Sequence, residues 1–122
     1  VICSNDCVDV YNPKVIQASM GAFLHVKVHY CDLRQFLGIA RKKGLPVYGT
    51  MIDGESVYDR KLGKKGIILL GNESRGISDE LKPLISDRIM IPRFSDHKYG
   101  IDSLNVGMAA AIVFSEFARR RS

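Results

Sequence analysis

Apolar and polar positions change along this chain in a way that predicts strands and helices in turn. Short segments rich in apolar residues occupy residues 1–3, 45–50, 67–70 and 88–92, and residues 24–28 alternate between apolar and polar side chains. Runs of this length are typical of strands buried in a parallel sheet. Helical patterns separate several of them, so the sequence predicts an α/β fold: a mostly parallel sheet of about five strands, flanked by helices.

Two helices in the first half carry clear start signals. Asn12-Pro13 is an N-cap residue followed by proline at the first helical position, and it predicts a helix to about Phe23. Asp32 opens a second helix, which Gly44 ends as its C′ residue. The apolar residues of this second helix have the i, i+3, i+4, i+7 spacing of an amphipathic face: Leu33, Phe36, Leu37 and Ala40.

Two further helices are predicted in the second half. Ser78 or Asp79 can cap a short helix that reaches Ile85. The last helix starts at Asp102-Ser103 and runs to Arg120, and its first three turns are apolar around almost the whole circumference. A helix that is apolar all round is buried on all sides. In so small a domain, this pattern predicts a subunit interface.

The stretch from Ile67 to Gly76 is the strongest candidate for a functional site. Its apolar run stops at Gly71, and polar side chains follow at once in Asn72 and Glu73. Open α/β sheets bind ligands beyond the carboxyl ends of their strands, where Gly49-Thr50 and Ile91-Pro92 would also lie. These turns and the start of the last helix can therefore converge on one site. On the local pattern alone, a polar turn with no further role is the alternative.

Length and composition limit the classes of protein to which this chain can belong. The 122 residues are enough for one domain with a real core. No apolar run approaches the ~20 residues of a membrane span, and the first residues do not resemble a signal peptide. Three cysteines, an odd number, favour a reducing compartment and hence the cytoplasm. Their spacing does not predict a metal site, so buried or idle thiols are expected. The opening valine suggests a piece of a longer protein.

The basic residues are clustered rather than spread evenly. The net charge is +5, and Lys and Arg group at residues 41–43, 60–65 and 119–121. Such clusters suit a polyanion such as RNA. For the groups at 41–43 and 119–121, the alternative is that cations in a last helical turn complement the helix dipole.

Residues 67–78 and 91–112 together resemble motifs 2 and 3 of the SpoU (TrmH) family. This family comprises S-adenosylmethionine-dependent RNA 2′-O-ribose methyltransferases of the SPOUT class. Residues 12–22 resemble the segment that the family carries just ahead of its second strand. The resemblance covers essentially the whole chain, and two ordered motifs at the right separation are far more specific than either one alone.

The resemblance implies a SPOUT fold whose C-terminal portion forms a trefoil knot, and a homodimer formed through the C-terminal helix. It implies S-adenosylmethionine as cofactor and RNA as partner, with ribosomal RNA preferred over tRNA on overall likeness. It implies neither a metal nor a membrane. The implied cofactor-binding positions come from three loops: Thr50, Gly71, Asn72, Glu73, Ile91, Leu104 and Asn105.

The implied reaction transfers a sulfonium methyl group to a ribose hydroxyl, a poor nucleophile at neutral pH that needs positioning and help with its proton. Glu73, Ser103 and Asn105 match the polar motif positions of the family's catalytic site, as orienting groups. Each has a simpler alternative. Glu73 can be a surface acid near Arg75, Ser103 a helix N-cap, and Asn105 a solvated amide in the first helical turn.

One part of the family pattern is missing. Motif 1, with its asparagine and catalytic arginine, has no match ahead of Asn12-Pro13. Residues 1–122 are therefore expected to be a SpoU-type catalytic domain truncated at its N-terminus, which methylates poorly alone. Two other classes stay open: a non-catalytic module of the same fold that binds RNA or cofactor, and a small-ligand α/β domain unrelated to RNA.

Overall fold

The computed structural model describes residues 1–92 and 105–120, which divide into a first unit (residues 1–36) and a second unit (residues 37–122). The regular elements follow the chain as β1 (Ile2–Ser4), α1 (Pro13–Ser19), β2 (His29–Cys31), α2 (Leu33–Lys42), β3 (Val47–Ser56), β4 (Ile67–Leu69), β5 (Asp87–Met90) and α3 (Val106–Arg119). Short 3-10 helices cover Ala22–Leu24 and Lys82–Leu84.

The first unit contains a two-stranded parallel sheet and one short helix. β1 pairs with β2 so that Ile2 lies opposite His29. The Asn12 side chain caps α1 by accepting a hydrogen bond from the backbone N–H of Lys14. The prediction that α1 reaches Phe23 is wrong, because Met20 adopts a left-handed conformation (φ 51°) and ends the helix. The strand predicted at residues 24–28 is also displaced and forms at His29–Cys31.

The predicted second helix is confirmed as α2. The Asp32 carboxylate accepts hydrogen bonds from the backbone N–H groups of Arg34 and Gln35, which would otherwise lack partners. Leu37 and Ala40 are buried, as their spacing predicted. Gly44 (φ 77°) takes the left-handed conformation that terminates the helix.

The second unit contains a three-stranded parallel sheet in the order β4-β3-β5. Its core includes a cluster of four buried side chains, Tyr48, Val57, Ile89 and Val113. Phe117 of α3 packs edge-on against Tyr48, with ring centroids 4.9 Å apart. Because Val113 and Phe117 belong to α3, the last helix covers one face of this sheet.

β3 is longer than the sequence predicted. The strand expected at residues 45–50 runs from Val47 to Ser56, and its pairing with β5 shifts register between Thr50 and Glu55. Gly54 permits this irregularity, because a Cβ there would lie 2.6 Å from the backbone carbonyl carbon of Ile89. The regular pairing with β4 ends at Gly49, so Thr50 still lies at the carboxyl edge of the three-stranded sheet.

The predicted α/β class with parallel strands is confirmed, but its details differ. Within the described residues, the five strands form two separate sheets rather than a single one. The helix predicted from Ser78 to Ile85 is reduced to a 3-10 turn at Lys82–Leu84. The predicted knot falls on a part of the chain that includes residues 93–104, which lie outside the described residues, so the knot stays a prediction.

The last helix begins later than predicted and buries only one of its faces within the chain. Asn105 is its N-cap, so α3 starts at Val106 and not at Asp102-Ser103. Val113 and Glu116 are buried, whereas Met108 and Phe114 remain 62% and 50% exposed. The apolar character around the whole helix is therefore only partly explained by packing inside one chain.

Candidate functional site

The candidate site lies at the carboxyl edge of the β4-β3-β5 sheet. The Thr50 hydroxyl donates a hydrogen bond to the backbone carbonyl of Leu69, at 3.4 Å, and so links the carboxyl ends of β3 and β4. Gly71 follows directly behind β4 and packs tightly on its own loop. A Cβ at this position would lie 2.4 Å from the carbonyl carbon of Gly76, so only glycine fits.

The loop after β4 is closed by Asn72. Its backbone N–H and carbonyl form a reciprocal pair of hydrogen bonds with Gly76, at 3.0 and 2.8 Å. Its side-chain oxygen accepts hydrogen bonds from the backbone N–H and hydroxyl of Ser74 and from the backbone N–H of Arg75. Asn72 therefore holds the loop closed through its side-chain oxygen and through both of its backbone polar groups.

Glu73 and Asn105 are brought into direct contact, although they are 32 residues apart in the sequence. Oε1 of Glu73 accepts hydrogen bonds from Nδ2 of Asn105, at 3.1 Å, and from the backbone N–H of Val106, at 3.2 Å. Asn105 in turn caps α3, since its Oδ1 accepts from the N–H groups of Gly107 and Met108. A carboxylate at a helix N-terminus is favoured by the helix dipole. The pair therefore fixes the loop after β4 to the start of α3.

These contacts decide between two of the alternatives raised by the sequence. Glu73 is not merely a surface acid beside Arg75, because it binds the start of α3. Asn105 is not a solvated first-turn amide, because it takes the N-cap role that the sequence assigned to Ser103. Ser103 itself lies outside the described residues.

The remaining predicted cofactor positions have different surroundings. The Ile91 side chain packs against the buried cluster of Tyr48, Val57, Ile89 and Val113, so its side chain belongs to the core rather than to a ligand site. Leu104 lies outside the described residues. The structure thus brings together Thr50, Gly71, Asn72, Glu73 and Asn105 around the ends of β3 and β4 and the start of α3.

One supporting cluster was missed by the sequence analysis. Arg120 donates hydrogen bonds to the backbone carbonyls of Val57, Tyr58 and Arg60, and Glu116 accepts from Arg119 and Arg120. These contacts hold the segment after β3 against the end of α3. The hydrogen bonds from Arg119 and Arg120 lower the pKa of the Glu116 carboxyl. The i, i+4 spacing of Glu116 and Arg120 was the available signal, whereas the carbonyl contacts are long-range.

The three cysteines are free thiols in the first unit. The sequence predicted buried or idle thiols; Cys3 and Cys31 are half-buried and Cys7 is exposed, so none of them is fully buried. Partial burial and the neighbouring Cys7 raise the pKa of the Cys3 thiol. Among residues 1–92 and 105–120, we find no group of three or more His, Cys, Asp or Glu side chains arranged to hold a metal ion.

None of the helices within the described ranges has the length and apolar character needed to cross a bilayer. The geometry above describes a parallel three-stranded sheet with a hydrogen-bonded set of loops at its carboxyl edge.

Comparison with known proteins identifies the class. The model of the SpoU rRNA Methylase family matches residues 1–115. The chain therefore belongs to this family, as the two sequence motifs predicted.

Characterised relatives act on different RNAs. The chain is 25% identical over 114 residues to the 23S rRNA (guanosine(2553)-2′-O)-methyltransferase RlmP of Bacillus subtilis, covering 93% of this chain and 44% of RlmP. It is 30% identical over 101 residues to the tRNA (guanosine(18)-2′-O)-methyltransferase of Thermus thermophilus, covering 81% of this chain and 50% of that enzyme. The chain thus spans about half the length of these relatives.

Solved structures show the same fold. A putative RNA methyltransferase of the TrmH family from Porphyromonas gingivalis superposes with a TM-score of 0.86 and 41% identity, over 100% of this chain and 49% of that one. The SpoU methyltransferase AviRb from Streptomyces viridochromogenes, in complex with the cofactor AdoMet, gives a TM-score of 0.81 and 25% identity, over 98% of this chain and 49% of AviRb.

Proposed function

We propose that this chain is the cofactor-binding part of an enzyme that transfers a methyl group from S-adenosylmethionine to a ribose 2′-hydroxyl in RNA. The observation that carries the proposal is the contact between Glu73 and Asn105, which joins motif 2 to motif 3 at the carboxyl edge of the sheet. The rRNA and tRNA 2′-O-methyltransferases among its relatives, and AdoMet in the AviRb structure, support it.

The residues at this edge fit S-adenosylmethionine. Backbone groups of Gly71 and Ile91, the Thr50 hydroxyl and the exposed side-chain amide of Asn72 offer neutral donors and acceptors suited to an adenosine. The exposed Glu73 carboxylate carries the charge opposite to that of the sulfonium. The loop is already closed by its internal hydrogen bonds, so little ordering is needed on binding. When bound, the cofactor would supply an electrophilic methyl group. Leu104 is proposed as a further contact on the family resemblance.

The protein's contribution to the reaction would be orientation. The ribose hydroxyl is a poor nucleophile at neutral pH, so its approach to the methyl group and the removal of its proton must be assisted. Glu73 and Asn105, fixed to each other and to the start of α3, are proposed to orient the reacting groups. Ser103 is proposed as the third polar group by its match to motif 3.

The proposal extends to partners and location. We propose ribosomal RNA, ahead of tRNA, as the substrate and the cytoplasm as the location. We also propose that residues 1–122 are a truncated SPOUT domain and that its C-terminal portion forms the knot. A homodimer through α3 is supported by a row of exposed apolar residues on one helix face: Met108, Ala111 and Phe114. Covering this face with a second copy would account for the apolar character that one chain leaves exposed.

The experiment is methyl transfer from radiolabelled S-adenosylmethionine to rRNA and to bulk tRNA, with the product nucleosides identified by mass spectrometry. The expected product is a 2′-O-methylated nucleoside, formed slowly because motif 1 is missing. Glu73→Gln should lower product formation by about 10²-fold or more if its carboxylate orients the reacting groups. Asp79→Asn is the matched control, since it removes the same charge from an exposed carboxylate whose described partner is Lys82. Base-methylated products, or equal effects of both variants, would contradict the proposal.

A further inference from the structure

The opposite edge of the same sheet carries a concentration of positive charge. The amino ends of β3 and β4 meet there, because Val47 pairs with Ile67 in a parallel register. The segments that lead into these two strands also touch. The N–H of Ile67 donates to the carbonyl of Pro46 at 2.9 Å, and a Cβ on Gly66 would lie 3.0 Å from Cγ of Pro46.

Each of these two segments is preceded by cations. Lys64 and Lys65 stand directly before Gly66, and Lys43 is separated from Pro46 by three residue steps, at most about 11 Å of extended chain. We call this group the basic edge. It consists of five exposed side chains: Arg41, Lys42, Lys43, Lys64 and Lys65.

Acidic side chains in the described part of the chain do not neutralise the basic edge. Within residues 1–92 and 105–120, the ion pairs involve other cations, and none includes a member of the basic edge. Asp87, at the amino end of β5, is paired with Arg60 and also accepts a hydrogen bond from the Ser86 hydroxyl. Five cations from two adjoining segments thus lie within a few residues of the amino ends of β3 and β4.

The helix dipole explains only part of this group. Arg41 and Lys42 occupy the last turn of α2, where cations are favoured by the helix C-terminus. Lys64 and Lys65 precede a strand, and no helix end among the described elements accounts for their charge. Their placement beside the other three cations therefore calls for a second explanation.

We propose that the basic edge binds phosphates of the substrate RNA on nucleotides that flank the one receiving the methyl group. This inference rests on the proposed function. The regular part of β3 from Val47 to Thr50 separates the basic edge from the candidate site by about 10 Å. One nucleotide cannot occupy both edges, so the basic edge holds neighbouring parts of the strand. Contacts of this kind position the RNA without reading its sequence.

The test is RNA binding by the 122-residue chain and its Lys64→Glu/Lys65→Glu variant, measured by fluorescence anisotropy with labelled rRNA and with labelled bulk tRNA over a range of salt concentrations. Each phosphate contact contributes about 0.7 to 0.9 to the slope of log K against log salt. We expect the variant to bind about tenfold more weakly or worse at low salt and its slope to fall by about 1.5. Lys64→Ala/Lys65→Ala should show a smaller loss of affinity with a similar fall in slope.

The matched control is Lys14→Glu/Lys27→Glu, which makes the same change in net charge at two exposed lysines of the first unit. We expect the control to bind close to wild type. Titration with S-adenosylmethionine should give the same affinity for all variants, because the candidate cofactor loops lie at the other sheet edge; this also shows that the variants are folded.

Two results would overturn the inference while leaving the proposed function intact: unchanged RNA binding by the Lys64/Lys65 variants, or an equal loss in the control, which would mean that net charge alone sets affinity. If the wild-type chain binds S-adenosylmethionine but no RNA at any salt concentration, the proposed function fails, and the inference fails with it.

Discussion

The two units of this chain are stabilised in different ways. None of the residues in the first unit is buried, and large apolar side chains such as Met20 and Leu24 are 93% and 72% exposed there. The second unit contains every buried residue among those the structure describes, including Ile89, Val57 and Val113 at 0% exposure. The first unit has apolar residues but no core, whereas the second has both.

Polar contacts take the place of a core in the first unit. The Tyr30 hydroxyl donates to the carbonyl of Val8 and accepts from the N–H of Val10, and Asn12 caps α1. Such contacts are each worth about 1 kcal/mol, less than the burial of one large apolar side chain. The candidate site and the basic edge both belong to the second unit. Both of these proposed functional regions therefore belong to the unit that contains the buried residues.

The largest contrast is expected from removing an isoleucine side chain in each unit. Ile89→Ala should lower the free energy of unfolding by about 2–5 kcal/mol, because it leaves a cavity in a fully buried cluster. Ile2→Ala, at a position 37% exposed, should cost less than about 1 kcal/mol. Urea unfolding followed by circular dichroism measures both. Equal losses would show that the first unit has a core of its own.

A second contrast concerns two glycines that are constrained in different ways, one by close packing and one by its backbone conformation. Gly54 packs on the backbone of Ile89, so Gly54→Asn should destabilise by about 1–3 kcal/mol. Gly21 has open space around it but a φ of +89°. Asparagine tolerates left-handed backbone, so Gly21→Asn should cost only a few tenths of a kcal/mol, about 0.5 at most. Thermal melts of the two variants provide the comparison, and a harmless Gly54→Asn would refute the packing argument.

A third contrast uses the N-cap asparagines of α1 and α3. Both Asn12→Ala and Asn105→Ala remove a cap, which costs about 0.5–2 kcal/mol. Asn105→Ala also removes the donor to Glu73, so we expect it to be the more destabilising of the two, by about 0.5–1 kcal/mol. Chemical unfolding of both variants tests this. An Asn12→Ala variant that loses as much stability would mean that the Glu73 contact contributes nothing.

The smallest effect on stability is expected from lowering the pH. The pKa of Glu116 is lowered in the folded chain by hydrogen bonds from Arg119 and Arg120. A lowered folded-state pKa gives stability that is present above the ordinary carboxyl value of 4.5 and is lost as pH falls through the folded-state pKa. The free energy of unfolding should therefore fall less between pH 6 and pH 3 in Glu116→Gln than in wild type. Parallel pH profiles for the two proteins would contradict this role.

Local signals in the sequence were enough to predict most helices and strands of the fold. Asn12-Pro13, Asp32 and Gly44 each mark an element end through backbone chemistry that does not depend on distant residues. The extension of β3 past Thr50 was not predictable in this way. It depends on the fit of Gly54 against Ile89, a residue from another strand. The end of α1 at Met20 was also missed, because a left-handed conformation is rare outside glycine.

The residues of the candidate site could be proposed from the sequence, but the contacts between them could not. The polar run after β4 and the resemblance to two motifs pointed to Glu73 and Asn105. The hydrogen bond between them, and the N-cap role of Asn105, required the folded chain. The Arg120 contacts to three backbone carbonyls were missed, because no sequence pattern identifies a carbonyl acceptor some 60 residues away.

The most direct test of the account is a calorimetric titration of the 122-residue chain with S-adenosylmethionine, repeated for Asn105→Ala and Asn12→Ala. We expect saturable binding near one cofactor per chain, weakened about tenfold or more by Asn105→Ala and left unchanged by Asn12→Ala. A folded wild-type chain that does not bind S-adenosylmethionine, or equal weakening by the two variants, would contradict the assignment of the cofactor site to the carboxyl edge of the sheet.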